Sequence, residues 1–350
     1  MRAPGPALAI AVALLALSVS PLASRTADAA PAKLSYTGKA MGTYVTVWFW
    51  TDKEAAAAKA AESVFTEMKR LDAVMTTWTD TSEVSKVNQA AGKKPVAVSP
   101  ETFAVIERAV DISKKSGGIF DVSVGAFKGL WKFDEDMDNT LPSEEDVTAR
   151  MKLVGYKDIV LNKAKRTVFL KRAGMLINLG GIAKGFAVDR CATLLKKAGF
   201  TDFMVQAGGD MYVAGKKGAD PWVVGIRDPR GQRDEMFALM PIENHSFSTS
   251  GDYERGFVKD GTRYHHILDP RTGNPARASR SVTIRAKDAF TADAWSKVMF
   301  IAGHKDGLAM IAKYKLKDFE VVWVDDKNEL HMTPGIEKQL QIKKQPTAGP

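Results

Sequence analysis

The sequence predicts an α+β protein, a single large domain of mixed sheets and helices, and three observations carry that expectation. Strand-like and helix-like segments intermingle without the strict alternation of a doubly wound parallel sheet. A chain of 350 residues with 45% hydrophobic content can bury one sizeable core. Its lone cysteine, Cys191, rules out an intrachain disulfide, so packing has to supply the stability.

Residues 1–29 read as a signal peptide. Arg2 gives a positive start, Ala7 to Val19 is apolar and uncharged, and Ala27-Asp28-Ala29 offers a small-x-small cleavage pattern. The apolar run is shorter than the roughly 20 residues a membrane helix needs. Cys191 lies far from it, which removes a lipid-anchor cysteine. The expectation is an exported protein, periplasmic or on the outer face of the cytoplasmic membrane and soluble after cleavage. Residues 30–38 read as a linker, residues 39–335 as the folded domain and residues 336–350 as a polar, frayed tail.

Within the domain, the β-branched and aromatic run Tyr44 to Trp50 predicts a strand over about Lys39–Trp50. Amphipathic spacing predicts helices over Glu54–Leu71 and Glu101–Lys115, the second stopped by Gly117. A short acidic helix is expected over Ser143–Leu153, and a hairpin from Asp158–Leu161 and Thr167–Lys171. The helix expected over Ile182–Ala198 carries Val188, Cys191, Ala192 and Leu195 on one face, which makes Cys191 a small core residue. Strands follow at Phe203–Gln206, Met211–Ala214, Trp222–Ile226, Phe237–Pro241, Ser281–Arg285 and Phe319–Val324. Helices are expected at Thr291–Ile301 and Leu308–Tyr314.

A formal net charge of +9 suits an anionic ligand or an acidic membrane surface. Nucleic acid is not an expected partner, because the basic residues are scattered and no aromatic-basic ladder interleaves them. Zinc-protease and serine-hydrolase chemistry lack their patterns, with neither H-E-x-x-H nor G-x-S-x-G present. Four segments stand out instead: Ser116 to Asp121, Asn178 to Gly185, Ser250 to Tyr253 and His265 to Gly273. In the second, consecutive glycines open a helix, where free amides favour an anion such as phosphate and Lys184 adds charge. A glycine turn that only packs a helix on a sheet is the competing reading. Neither the Walker A nor the dinucleotide spacing is met. His266 precedes a Pro- and Gly-shaped turn, where it is a candidate base, a stacking group or a surface residue.

Taken together, these motifs resemble one family, the ApbE flavin transferases, over nearly the whole mature chain. The matching segments are Met41-Gly42-Thr43; Met75-Thr76-Thr77-Trp78; Gly117 to Gly125; Asn178 to Gly185; Ala207-Gly208-Gly209-Asp210; Thr249 to Tyr253; Tyr264 to Gly273; and Thr291-Ala292-Asp293-Ala294. The resemblance implies a T-fold-like domain that binds FAD and transfers its FMN half to a threonine of an acceptor flavoprotein subunit in a membrane or periplasmic redox complex, with Mg²⁺ required and AMP released. It places Met41 at the flavin end and Trp78 stacked on the cofactor. Ile119, Phe120 and Asp121 fall at the adenosine portion, and Asn178, Lys184 and Ile267 around the flavin site. His266 is implied as the catalytic histidine, and the Gly181 carbonyl and Asp293 as metal ligands. Lys297 departs from the family pattern, because it stands where a threonine often completes the metal site. Ser296 is a candidate to substitute for that threonine.

Overall fold

The computed structural model describes residues 30–133 and 136–349. The expected signal peptide therefore lies outside the described residues. Eight strands form one antiparallel sheet whose spatial order follows the chain: Ala32–Ala40, Thr43–Thr51, Phe203–Ala207, Asp210–Ala214, His245–Gly251, Ser279–Ala286, Glu320–Asp325 and Leu330–Met332. The other elements are inserted between successive strands, apart from the segment after Met332. The longest insertion, residues 52–202, carries most of the helices.

Side chains alternate across this sheet with period two. Phe203, Val205 and Ala207 face a large core that includes Leu71, Ile106, Val188 and Trp295, while Met204 points to the other side. On the Glu320–Asp325 strand, Val321 and Trp323 join the large core, and Val322 and Val324 join the second cluster. The helices Glu54–Met75, Ala183–Lys197 and Ala289–Tyr314 cover the first face. The hairpin of Trp222–Arg227 and Met236–Ile242 covers the second through Trp222, Phe237 and Met240. These layers give a single α+β domain, as the sequence predicts.

Two expectations about element boundaries are corrected. Residues 30–38 are not a linker, because Ala32–Ala40 pairs along its whole length with Thr43–Thr51. Its alternating burial shows the reason: Leu34 and Tyr36 pack on the large core from a polar-looking segment. The turn between the two strands is Met41-Gly42, with φ of 52° and 68°. Such a two-residue connection matches the strand twist, and Met41 tolerates it because its amide donates to Asp72 Oδ2 at 2.9 Å.

The tail over 336–350 is docked rather than frayed. Gln341–Ile342 pairs with the Met236–Ile242 strand, and the Thr347 hydroxyl donates to buried Asp228 at 2.6 Å. The two helices expected after residue 290 are both present within Ala289–Tyr314, separated by a kink at Gly303 with φ 74°. Cys191 is fully buried in the large core, where burial pushes its thiol pKa up to about 12.

Candidate active site

Two helix N-termini meet at the centre of the site and cap each other. Asp293, one turn into Ala289–Tyr314, accepts the Gly185 amide at 2.8 Å through Oδ2. Asp189, in the facing helix Ala183–Lys197, accepts the Ala289 and Phe290 amides at 2.9 and 2.8 Å. Each carboxylate thus satisfies orphan donors of its neighbour's first turn. Gly185 permits the approach, since a Cβ there would lie 2.2 Å from Ala289 O and 2.6 Å from Asp293 Cβ. This contact answers one question left open by the sequence. The glycine-opened helix does pack closely, and the first-turn Gly185 amide is taken by the protein's own carboxylate.

Around this junction lies a buried network of alternating charge. Lys184 Nζ is 2.9 Å from Asp210 Oδ2 and 3.9 Å from Asp293 Oδ1. Lys297 donates to Asp293 Oδ1 and, at 3.0 Å, to its backbone carbonyl. Ser248 donates to Asp210 Oδ1. Burial works against a charged Asp293, but Lys184 and Lys297 outweigh it and hold the carboxyl below the usual carboxylate range. Burial also works against charge on Lys184, and the carboxylates of Asp210 and Asp293 overcome it, raising the ammonium above its ordinary range.

Ser296 is spoken for. Its hydroxyl donates to Asp293 O at 2.7 Å and lies 2.7 Å from Ser250 Oγ, so Ser250 supplies the proton of that second bond.

The glycine turn adjoins the network directly. Asn178 Oδ1 accepts the Gly180 amide at 2.7 Å and shapes the turn. A Cβ on Gly181 would meet Phe120 Cε2 at 3.3 Å and Lys297 Cγ at 4.0 Å, so Gly181, Phe120 and Lys297 are neighbours. Asp121 is turned inward instead. It accepts from Ser123 N and Oγ at 2.8 and 2.6 Å and from Tyr156 N at 2.7 Å, building the loop rather than facing a ligand. Ile119 is buried in the same loop.

His266 is close enough to this cluster to feel the charge of Lys297. Its Nδ1 is 3.3 Å from Arg255 O, and a Cβ on Gly42 would lie 3.5 Å from an Arg255 guanidinium nitrogen. Arg255 therefore joins Met41-Gly42 to His266. The residue is exposed to solvent, yet the surrounding protein desolvates its imidazole. That desolvation, then the charges of His265, Arg255 and Lys297, push its pKa down to about 3. Beside it, His265 is buried and bonds Ala276 O at 2.8 Å through Nε2; Ile267 is buried next in the chain.

Trp78 stands on a separate wall, 72% exposed, with Lys128 Nζ 5.5 Å from its ring centre. Trp131 Nε1 donates to Gly273 O at 2.8 Å, locking the segment after Asp121 to the turn after His266.

The structure thus gathers Gly181, Lys184, Phe120 and Asp293 around Lys297, with His266 and Met41 linked through Arg255. Asp121 follows Phe120 but turns its carboxylate to Ser123 and Tyr156, and Trp78 stands exposed beside Lys128. Sequence reasoning gave no role to Asp210 or Arg255. The one signal available for Asp210 was its position directly after Gly208-Gly209, a tight turn that aims the next strand's first residue at the sheet edge.

Residues 41–323 match the model of the ApbE family. An FAD:protein FMN transferase of Treponema pallidum (strain Nichols) is 33% identical over 318 residues, covering 86% of this chain and 87% of that protein. One from Klebsiella pneumoniae (strain 342) is 30% identical over 297 residues, covering 85% and 90%. Among solved structures, the ApbE protein of Thermotoga maritima superposes with a TM-score of 0.80 at 34% identity, covering 88% of this chain and 99% of that one. The flavin transferase ApbE of Vibrio cholerae gives 0.79 at 26% identity, with the same coverage. With the family match over most of the chain and the same fold in its solved members, this chain belongs to the ApbE family.

Proposed function

We propose that this protein transfers the FMN half of FAD to a threonine of an acceptor protein and releases AMP. The observation that carries the reading is the buried Lys184–Asp293–Lys297 cluster beside the Gly180-Gly181 turn. It concentrates fixed cationic groups next to a backbone that can approach a pyrophosphate closely. The threonine Oγ attacks the FMN-side phosphorus, the bond from that phosphorus to the bridging oxygen breaks, and AMP leaves with that oxygen. The hydroxyl proton passes to His266, which desolvation and neighbouring cations keep neutral. Lys184 and Lys297 offset charge on the phosphates, and exposed Trp78 offers a stacking face for a ring.

Mg²⁺ fits this donor set, since Asp293 stays ionised and Gly181, whose carbonyl would be a second hard oxygen, neighbours the Lys297 that contacts Asp293. A bound ion would offset charge on the leaving phosphate. Lys297 already occupies Asp293 Oδ1, so its ammonium would turn to a phosphate oxygen when metal binds. The acceptor is a flavoprotein subunit of a membrane or periplasmic redox complex, reached by export and cleavage after residues 1–29. An intact Met1 in membrane fractions of the native host would overturn the soluble, exported placement.

Mature protein with FAD, Mg²⁺ and a threonine-bearing acceptor should yield a fluorescent band on a denaturing gel and a peptide heavier by FMN, both abolished by chelator. The Lys297 contact with Asp293 favours one rival, an FAD-binding or FAD-hydrolysing protein without acceptor transfer. Release of AMP with no modified acceptor, or FAD binding alone, would establish that rival and overturn the transfer.

A further inference from the structure

We propose that His304, Asp325 and His331 form a second metal site, specific for a zinc-class divalent ion and separate from the oxygen-donor site at Asp293. Three elements converge there. His304 follows Gly303, whose positive φ breaks the Ala289–Tyr314 helix and redirects its second half. Asp325 ends the Glu320–Asp325 strand, and His331 lies on the partner strand Leu330–Met332, with Trp323 directly opposite it. One ligand atom from each residue lies within 4.8 Å of the others.

Their present contacts already resemble a ligand set with its supporting bonds. His331 Nε2 is 2.8 Å from Asp325 Oδ2. The other oxygen, Oδ1, accepts the Lys327 and Glu329 amides at 3.0 and 2.7 Å. The hairpin turn therefore fixes the carboxylate and leaves Oδ2 aimed at the imidazole. Such outer bonds orient metal ligands and raise affinity. The His304 and His331 rings stack with centroids 3.6 Å apart and planes within 10°. Glu329 Oε2, on an exposed side chain, is 3.8 Å from His331 Nε2 and is placed as a fourth donor; water is the alternative.

An ion would replace the His331–Asp325 hydrogen bond. His304 would swing out of the parallel stack so that both imidazole lone pairs converge. Two imidazoles and a carboxylate favour Zn²⁺ or a neighbouring transition ion over Mg²⁺, which prefers oxygen alone. The bound ion would staple the kinked helix to the last hairpin of the sheet. Asn328 of that hairpin also donates to Pro346 O at 2.7 Å, so the docked tail belongs to the stapled unit.

The test uses the full mature chain, Zn²⁺ and a competing chromophoric chelator. One ion per chain is expected at micromolar affinity or tighter. His304→Gln and His331→Gln should each weaken it by about tenfold or more, while Asp293→Asn should retain it. Co²⁺ in place of zinc gives a second readout, a visible ligand-field band in the unmodified chain that both histidine variants lose. Binding only at millimolar zinc would overturn the proposal. So would affinity unchanged in both histidine variants, or affinity lost in Asp293→Asn alone.

Discussion

The two faces of the central sheet are built from the same alternating strands, yet they bury different things. The hairpin-covered face closes over an apolar cluster of Trp222, Phe237, Met240 and Phe247. The helix-covered face is apolar over most of its area, but at the helix junction it buries Asp210 and Asp293 and half-buries their partners Lys184 and Lys297. Burying charge is costly unless every group is paired, and here each is. The difference separates stability from chemistry: one face can be weakened without touching the site, whereas the other cannot.

Asp293→Asn should break this contrast most sharply. The amide leaves two buried ammonium groups with less negative charge, and breaking a buried pair costs about 3–5 kcal/mol. Transfer should fall by about 100-fold or more, and its dependence on Mg²⁺ should weaken. Circular dichroism should still report the folded domain. Normal transfer across a Mg²⁺ titration would remove Asp293 from the site.

Phe237→Ala tests the opposite face. Phe237 is wholly buried, so truncation should cost about 3–5 kcal/mol, seen as a lower denaturant midpoint. Transfer measured well below that midpoint should keep its wild-type kcat. A kcat loss comparable to that of Asp293→Asn would show that the faces are mechanically coupled.

Gly185→Ala probes the junction itself. The added methyl would collide with Ala289 O and Asp293 Cβ, and such overpacking typically costs about 1–3 kcal/mol. Because the helices must part, KM for FAD should rise along with the stability loss. Stability lost at unchanged KM would mean that the helix spacing does not set the site.

Legibility in the sequence divided along the same line. The strands of the sheet were readable because alternation writes burial directly into residue type, as in Phe203 to Ala207. The Ala32–Ala40 strand was not, since an edge strand with one buried side carries only Leu34 and Tyr36 as signals. The split of the last long helix at Gly303 was legible as two separate helices, because a glycine interruption looks the same in either arrangement. In the site, motif order located Gly181, Lys184 and Asp293. The reciprocal caps between Asp293 and Gly185, and between Asp189 and Ala289, join residues about a hundred positions apart. No local pattern encodes such a pairing. Asp121 shows the reverse: its motif was plain, but the partner of its carboxylate, Tyr156, lies 35 residues on.

The smallest expected effect concerns the two adjacent histidines, which repeat the contrast at single-residue scale. His265 is buried and His266 is exposed, yet desolvation lowers both, to about 4 and about 3. Folding thus favours their neutral forms. Stability should be complete above the unfolded value of about 6.5 and should decline as pH falls toward these lower values, because the unfolded chain takes up protons the folded chain refuses. For catalysis, kcat/KM follows the free enzyme, so His266 should contribute no acid limb near pH 6.5. Bound FAD brings phosphate charge toward the same imidazole, which stabilises its protonated form. The acid limb in kcat should therefore lie at higher pH than the limb in kcat/KM. Paired pH profiles of wild type and His266→Asn decide the matter. An acid limb near pH 6.5 in kcat/KM that vanishes in the variant would show that His266 titrates as an ordinary exposed histidine and that the surrounding protein does not desolvate it.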